Sequence, residues 1–316
     1  MWDEKRYHSL DYELKKTYGH KIYKLSLNGG MSCPNRDGTI DTRGCIFCSK
    51  GGSGDFAAPF SNSITHQIEN AKKLIVPKTK KSGELKYIAY FQAYTNTHAP
   101  ISYLRNLFME AIKHPDIVIL SIATRPDCLG DDVLDLLKEL NSIKPVWIEL
   151  GLQTIHEETS SFIRRGYSLS TFEEQVHKLH SLGITIIVHT ILGLPGETKH
   201  DMLRTMEYIS RLPVQGIKLQ LLHILKDTDL GKLYQEGLLD EALSMEDYID
   251  VLIACLEVLP PHMIIHRITG DGPKKLLLAP LWSADKKKVL NRIHSRMKEL
   301  DSYQGLFAFK GGHYAI

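Results

Sequence analysis

The 316-residue chain is short of several things, and each shortage narrows its class. Its first residues, Met1-Trp-Asp-Glu-Lys-Arg-Tyr-His8, lack the apolar core of a secretion signal, and no run approaches the ~18 apolar residues that cross a bilayer. The sequence therefore predicts a cytoplasmic protein with no membrane partner. Charge of one sign is also scarce. Lys and Arg number 39 against 37 Asp and Glu, leaving a formal +2 and a pI near 8.1. That balance is compatible with a nucleic-acid partner and falls well short of arguing for one unaided. Cysteines are few and odd in number, five, with Cys128 and Cys255 isolated, which is not the framework of a disulfide-stapled secreted protein. Internal repeats and low-complexity tracts are missing as well.

What is present is a hydrophobic content of 43%, enough for one large α/β domain plus an appendage. The remaining three cysteines sit in one stretch, Cys33-Pro-Asn-Arg-Asp-Gly-Thr-Ile-Asp-Thr-Arg-Gly-Cys45-Ile-Phe-Cys48. Thiolates are soft anionic ligands, and three on a loop that Pro34, Gly38 and Gly44 let fold back can hold one inorganic centre. Spacing leaves two centres open. One is a structural Zn²⁺ with a histidine or carboxylate as fourth ligand; the other is a [4Fe–4S] cluster with one iron left for a small molecule. The glycine-rich run 51–56 that follows reads equally as a turn or as backbone N–H groups offered to an anion.

Residues 21–27 alternate polar and apolar residues as a half-buried strand does. Apolar runs at 87–92, 117–123, 146–151, 185–192 and 217–223 bring the expected strands to six. Helices are expected at 65–76, 103–113, 131–140, 171–182 and 199–212, with Thr171 and Glu174 as a capping box. Apolar strands separated by single helices imply a parallel sheet with right-handed crossovers, and six such units predict an open or partial (β/α)6 barrel with its chemistry at the C-terminal strand ends. The cysteine loop falls at such an end. Residues 1–20 are a lead-in, 21–235 the barrel, and 236–316 a C-terminal α/β extension with helices at 244–259 and 284–300 and a strand at 263–269.

The cysteine pattern, with Phe47 inside Cys45-Ile-Phe-Cys48, resembles the radical S-adenosylmethionine superfamily. Ser121-Ile-Ala-Thr-Arg-Pro-Asp127, Glu149-Leu-Gly-Leu-Gln153 and Gly193-Leu-Pro-Gly-Glu197 resemble, more narrowly, its Elp3-like proteins of the YhcC/YtqA type. The resemblance implies a radical-SAM barrel whose Cys33, Cys45 and Cys48 bind a [4Fe–4S] cluster, the open iron chelating S-adenosylmethionine. Reductive cleavage then gives a 5′-deoxyadenosyl radical that abstracts hydrogen. It also implies cofactor contacts from Phe47, Leu194 and Pro195 around adenine, and from Gln153, Arg165 and His189 on the ribose and carboxylate side. A Gly-Gly-Glu pattern common in relatives is replaced by Phe91-Gln-Ala-Tyr-Thr-Asn-Thr97, leaving Gln92 and Thr95 as candidates for the methionine amino group. Ala123 stands where some relatives have glutamate, so Glu149 or Arg125 is the candidate replacement.

For the YtqA-type branch the implied substrate is tRNA, with carboxymethylaminomethyl-(2-thio)uridine at the wobble position converted to aminomethyl-(2-thio)uridine. Implied partners are an electron donor such as flavodoxin or ferredoxin and a downstream tRNA methyltransferase. The alternatives are radical chemistry on a porphyrinoid, peptide or small metabolite, and a non-enzymatic RNA-binding protein with structural zinc. Lys72, Lys73, Lys78, Lys80 and Lys81, together with Lys274–Lys275 and Lys286–Lys288, read either as a phosphate-tracking surface or as solvated helix faces. Tyr94, His98, Arg267 and Asp271 are candidate substrate contacts, while Cys128, Cys255, His189 and His223 also read as ordinary core residues.

Overall fold

Strands covered on both faces should be apolar at every position, and Tyr87–Phe91 is buried throughout while Ile117–Thr124 is buried at all positions but one. A computed structural model of the chain describes residues 2–52, 54–55, 57–75, 85–239, 242–270 and 272–308. In chain order the elements are α1 (Leu10–Tyr18), β1 (Tyr23–Leu27), α2 (Ile64–Ile75), β2 (Tyr87–Phe91), α3 (Ile101–Lys113), β3 (Ile117–Thr124), α4 (Asp131–Ile143), β4 (Val146–Gln153), α5 (Glu157–Phe162), α6 (Leu169–Ser181), β5 (Thr185–Leu192), α7 (Lys199–Ser210) and β6 (Gly216–Leu221). There follow β7 (Ile224–Leu225), α8 (Asp229–Gln235), α9 (Met245–Val258), β8 (Ile264–Arg267), β9 (Leu277–Ala279) and α10 (Lys286–Glu299). Short 3-10 turns cover Pro126–Cys128 and Leu281–Ala284.

Strand order is β1-β2-β3-β4-β5-β6-β8, with β7 and β9 forming a separate antiparallel ribbon. All six expected strands form, β5 with the expected bounds. The segment read as a strand of the extension becomes β8, a seventh member of the sheet.

The chain divides into two compact units. The first, Leu14–Gly151 with Arg164–Val188, carries β1 to β4 paired in parallel and the helices α2, α3, α4 and α6. Its core is Val, Ile and Leu from the strands plus an edge-to-face pair, Phe91 on Phe108, at 5.2 Å. The second, Met1–Glu13 with Leu152–Ile163 and His189–Ile316, carries β6 parallel to β8, the ribbon, and α7 to α10. Here the lead-in is tied to the far end of the chain: Ile265 N donates to His8 O at 2.7 Å, and Gln304 Oε1 accepts from His8 N at 2.8 Å.

One expected cap is corrected. α6 begins two residues before Thr171, because Ser168 has extended backbone and its Oγ accepts from Thr171 N at 3.1 Å. Thr171 is therefore the donor and not the cap. The capping box in the chain is at α7, where Thr198 and Asp201 bond each other reciprocally.

Candidate metal centre

The loop that carries the three thiols is folded by its own backbone. Arg36 N and Asp37 N donate to Cys33 O at 2.7 and 3.1 Å, Ile40 N and Asp41 N to Pro34 O at 2.8 and 3.2 Å, and Cys48 N to Cys45 O at 3.0 Å. Gly44 N donates to Asn35 O at 2.6 Å, and Gly44 has φ 78°; a Cβ there would lie 2.9 Å from Arg36 Nε. A side chain is thus excluded where the guanidinium crosses, and Arg36 Nη2 goes on to donate to Cys48 O (2.9 Å) and Ser49 O (2.7 Å).

Asp37 is the pivot of the loop. Its carboxylate accepts from Ser32 Oγ, Thr39 N and Thr39 Oγ1, and it pairs with His98 Nε2 at 2.8 Å. These bonds, the Ser32 hydroxyl foremost, hold it well below the usual carboxylate range. His98 thus braces the loop in this structure, and so does Tyr94. Tyr94 OH donates to Lys50 O at 2.5 Å and Tyr94 N to Gly52 O at 2.8 Å, and a Cβ on Gly52 (φ 56°) would fall 2.2 Å from the Tyr94 ring. Among its described residues, the glycine-rich run is backbone laid on an aromatic ring. Ser53 and Phe56 lie outside the described residues.

Asn35, buried at 1% exposure, points its amide at Cys45. Its Nδ2 donates to Cys45 Sγ at 3.5 Å and to the carbonyls of Arg164 (2.7 Å) and Arg165 (3.3 Å). Burial pushes the Cys45 thiol up to about 12; the charges of Cys48 and Cys33 push the same way and Arg125 opposes them. Cys48 and Cys33 thus act on Cys45 secondarily to its burial, and three cysteine thiols on one folded loop are a soft donor set. That chemistry fits a centre whose metal ions neutralise the thiolates.

Arg125 closes this flank. It pairs bidentately with Asp127 (Nε–Oδ1 2.9 Å, Nη2–Oδ2 2.6 Å) and donates from Nη1 to Arg165 O at 3.0 Å. The guanidinium carbons of Arg125 and Arg165 lie 4.9 and 5.0 Å from the centroid of the Tyr167 ring, whose OH donates to Gly151 O. Two buried cations therefore share one aromatic ring beside Cys45. The role of Tyr167 escaped the sequence reading; its place two residues after Arg165 was the available signal.

The other expected site residues of this unit are placed as follows. Phe47 is half-buried in the Cys45–Cys48 turn. Gln92 Oε1 accepts from Ser26 Oγ at 3.2 Å, and the buried Thr95 donates its N–H to Ser32 O at 3.1 Å. Glu149, facing Ala123 in register, accepts from Lys24 Nζ at 2.9 Å and Ser121 Oγ at 2.8 Å. A cavity of about 550 Å³ opens beside the loop, walled by Ile40, Thr97, His98, Asp127 and Cys128 among others. Cys128, read as an inert thiol, thus lines a cavity, and burial pushes it up to about 12. Of the lysine cluster in this unit, Lys72 is bonded to Glu69 (2.8 Å) and Asp116 (2.5 Å) and Lys73 to Asn70, while Lys78, Lys80 and Lys81 lie outside the described residues.

Gln153, His189, Leu194 and Pro195 belong to the second unit. Gln153 has φ 64°, a left-handed conformation that costs a non-glycine residue about 1–3 kcal/mol and gathers at functional positions. His189 is half-buried, as is Pro195, while Leu194 is 2% exposed and its carbonyl accepts from Glu197 N. His223 Nε2 is 3.0 Å from Ser283 Oγ, and Gly270 and Gly272 lie against its ring, a core arrangement. Arg267 ends β8, and Asp271 lies outside the described residues.

Comparison with known proteins bears on the same loop. The profile of the Radical SAM superfamily matches residues 42–209, and that of the Radical_SAM C-terminal domain residues 214–299. Uncharacterized protein YtqA of Bacillus subtilis (strain 168) is 48% identical over 304 residues, 96% of this chain and 93% of that protein. Protein YhcC of Escherichia coli (strain K12) is 38% identical over 292 residues, 92% and 90% of the two chains. The fold is similar to that of the archaeal Methanocaldococcus infernus Elp3 (TM-score 0.66, 14% identity), covering 90% of this chain and 64% of that one, which gives the partial (β/α) barrel expected from the strand pattern. Among the described residues no helix is long and apolar enough to cross a membrane. With its thiol-bearing loop at the end of the first strand, the chain belongs to the radical S-adenosylmethionine superfamily, whose cofactors are a [4Fe–4S] cluster and S-adenosylmethionine, and within it to the Elp3-like proteins of the YhcC/YtqA type.

Proposed function

We propose that this radical SAM protein modifies the C5 side chain of the wobble uridine of tRNA, converting carboxymethylaminomethyl-(2-thio)uridine to aminomethyl-(2-thio)uridine. The observation that carries the chemistry is the half-buried Cys45, on one pre-folded loop with Cys33 and Cys48 and with Asn35 and Arg125 against it. The substrate rests on the Elp3-like resemblance of the motifs at 121–127, 149–153 and 193–197. Cys33, Cys45 and Cys48 hold the cluster in this reading. When bound, cluster and S-adenosylmethionine together supply reductive cleavage of a sulfonium carbon–sulfur bond and abstraction of a substrate hydrogen.

The chain's own residues bind, orient and shield. Arg125 sets a buried positive charge by Cys45, where low dielectric magnifies its effect on an anionic centre, and Arg165 sets a second on the Tyr167 ring. Asn35 donates to a ligand sulfur, which favours its anionic form. In this reading Arg165, Gln153 and His189 would hold the ribose and carboxylate side of the cofactor, Gln92 and Thr95 its amino group, and Phe47, Leu194 and Pro195 its adenine, with Glu149 in support. The electron comes from a flavodoxin- or ferredoxin-type donor in the cytoplasm, and a tRNA methyltransferase takes the aminomethyl product.

The test is nucleoside analysis of tRNA from cells with and without the gene. Loss of the aminomethyl nucleosides with accumulation of the carboxymethylaminomethyl forms is expected, and an unchanged profile would sink the substrate assignment. Anaerobically reconstituted protein should yield 5′-deoxyadenosine on reduction with dithionite, irrespective of the tRNA result.

A further inference from the structure

We propose that the β7–β9 ribbon and the first turn of α10 form a phosphate-tracking surface for an RNA backbone; this rests on the tRNA reading above. The sequence offers two lysine groups, and their described members differ in how they are paired. In the first, Lys72 is neutralised by Glu69 and Asp116. In the second, Lys274, Lys275, Lys287 and Lys288 are exposed, as is Lys226, which the sequence reading did not include, and among the described residues none of these five has a carboxylate within ion-pair distance.

Pairing brings part of this set together. Ribbon register sets Leu225 opposite Leu277, and Lys226 N donates to Leu276 O at 2.8 Å, so Lys226 stands across from the Lys274–Lys275 pair. The 3-10 turn Leu281–Ala284 then leads directly from β9 into α10, and Leu281, 70% exposed, lies along the chain between Lys274–Lys275 and the lysines of α10. An apolar side chain flanked by cations suits a ribose or base face between phosphates.

Further along α10 the cations are used differently. Arg292 pairs with Glu246 and Glu299, and Arg296 with Asp250, which ties α10 to α9. Lys287 and Lys288 instead lie exposed in the first turn, where the helix dipole disfavours positive charge, and Asp285 is the acid beside them, capping through Lys288 N at 3.1 Å. Stability does not explain lysines in that turn; attraction of an anion does. Successive phosphates neutralised by such lysines release counterions, so binding should weaken steeply with salt.

The experiment measures binding of unfractionated tRNA to the full-length holoprotein across a salt series. The variants are Lys274→Glu/Lys275→Glu, Lys287→Glu/Lys288→Glu, and a charge-matched control, Lys113→Glu/Lys138→Glu, on exposed helix positions elsewhere. Each of the first two should weaken binding roughly tenfold at low salt and lower the salt slope by about two, with 5′-deoxyadenosine formation retained. If both weaken binding no more than the control does, the surface is wrong and the tRNA reading stands. If the wild-type protein binds no tRNA, the tRNA reading and this inference fall together.

Discussion

Removing the Lys24 ammonium tests whether Glu149 is held as a structural ion or kept for the cofactor. The Glu149 side chain is fully buried and that of Lys24 is 24% exposed, with 2.9 Å between Nζ and Oε1. Lys24 also sits 4.6 Å from the Tyr90 ring centroid. Breaking a buried pair by deleting one partner costs about 3–5 kcal/mol, since the surviving charge is left in a poor dielectric. Here the Ser121 hydroxyl remains as a donor and Lys24 is partly wet, which puts Lys24→Met near the low end, about 3 kcal/mol. With a urea slope of about 3 kcal/mol/M the unfolding midpoint should fall by about 1 M. Glu149→Gln keeps a group that accepts from Ser121, and the double variant Lys24→Met/Glu149→Gln should recover most of the loss, a coupling of about 2 kcal/mol in the cycle. Coupling below about 0.5 kcal/mol would refute the ion-pair account. Glu149→Gln that keeps its stability yet loses affinity for S-adenosylmethionine would assign the carboxylate to the cofactor instead.

The remaining predictions concern the loop and the second unit. Cys33→Ala, Cys45→Ala and Cys48→Ala should each abolish bound iron and 5′-deoxyadenosine formation, whereas Cys128→Ala should retain both; iron and sulfide analysis decides. Gly52→Ala forces a Cβ to 2.2 Å from the Tyr94 ring at φ 56°, so iron incorporation should fall, and Tyr94→Ala in the same chain should restore part of it. Burial raises the Glu197 carboxyl above its ordinary 4.5, against hydrogen bonds from Thr154 and Thr159. A carboxyl with a raised folded-state pKa contributes fully below its unfolded value and loses that contribution as pH climbs through the raised one. Glu197→Gln should therefore be more stable than the wild type at pH 7 and equal to it below about pH 4 in thermal melts. Chelating the iron should leave far-UV circular dichroism unchanged, because the loop is folded by backbone and side-chain bonds; a large loss of signal would show that the metal folds the domain.

Legibility in the sequence followed the range of the interactions. β5 was readable to its ends because Thr185–Leu192 is one apolar run, and the cysteine loop because its spacing is local. The start of α6 was misplaced because Ser168 and Thr171 are both good cap residues, and only backbone geometry ranks them. The bracing of the loop was hidden by distance along the chain. Asn35 reaches the carbonyls of Arg164 and Arg165, Tyr94 reaches Lys50, and Lys72 reaches Asp116, partners that no period or motif pairs. Tyr94 and His98 read as substrate contacts because polar aromatic residues near a strand end invite that reading, and here Tyr94 OH and His98 Nε2 are engaged by the loop.

The composition of the loop explains why so many polar bonds surround it. Between Cys33 and Cys48 the large aliphatic residues are Ile40, 49% exposed, and Ile46, 6% exposed, so apolar burial contributes little to holding the thiols in place. Each net hydrogen bond contributes only about 1 kcal/mol, which is why Asp37, Asn35 and Arg36 make several apiece and why His98, Tyr94 and two distant carbonyls are added from outside. Ordering the loop through the scaffold shifts its conformational entropy loss to the folding of the domain, away from cluster insertion. What is left is the Cys45 thiol, whose desolvation resists the ionisation that binding a metal requires. A cationic centre offsets the cost of ionising that thiol, and because the loop is already held by hydrogen bonds the ordering cost does not fall on metal uptake.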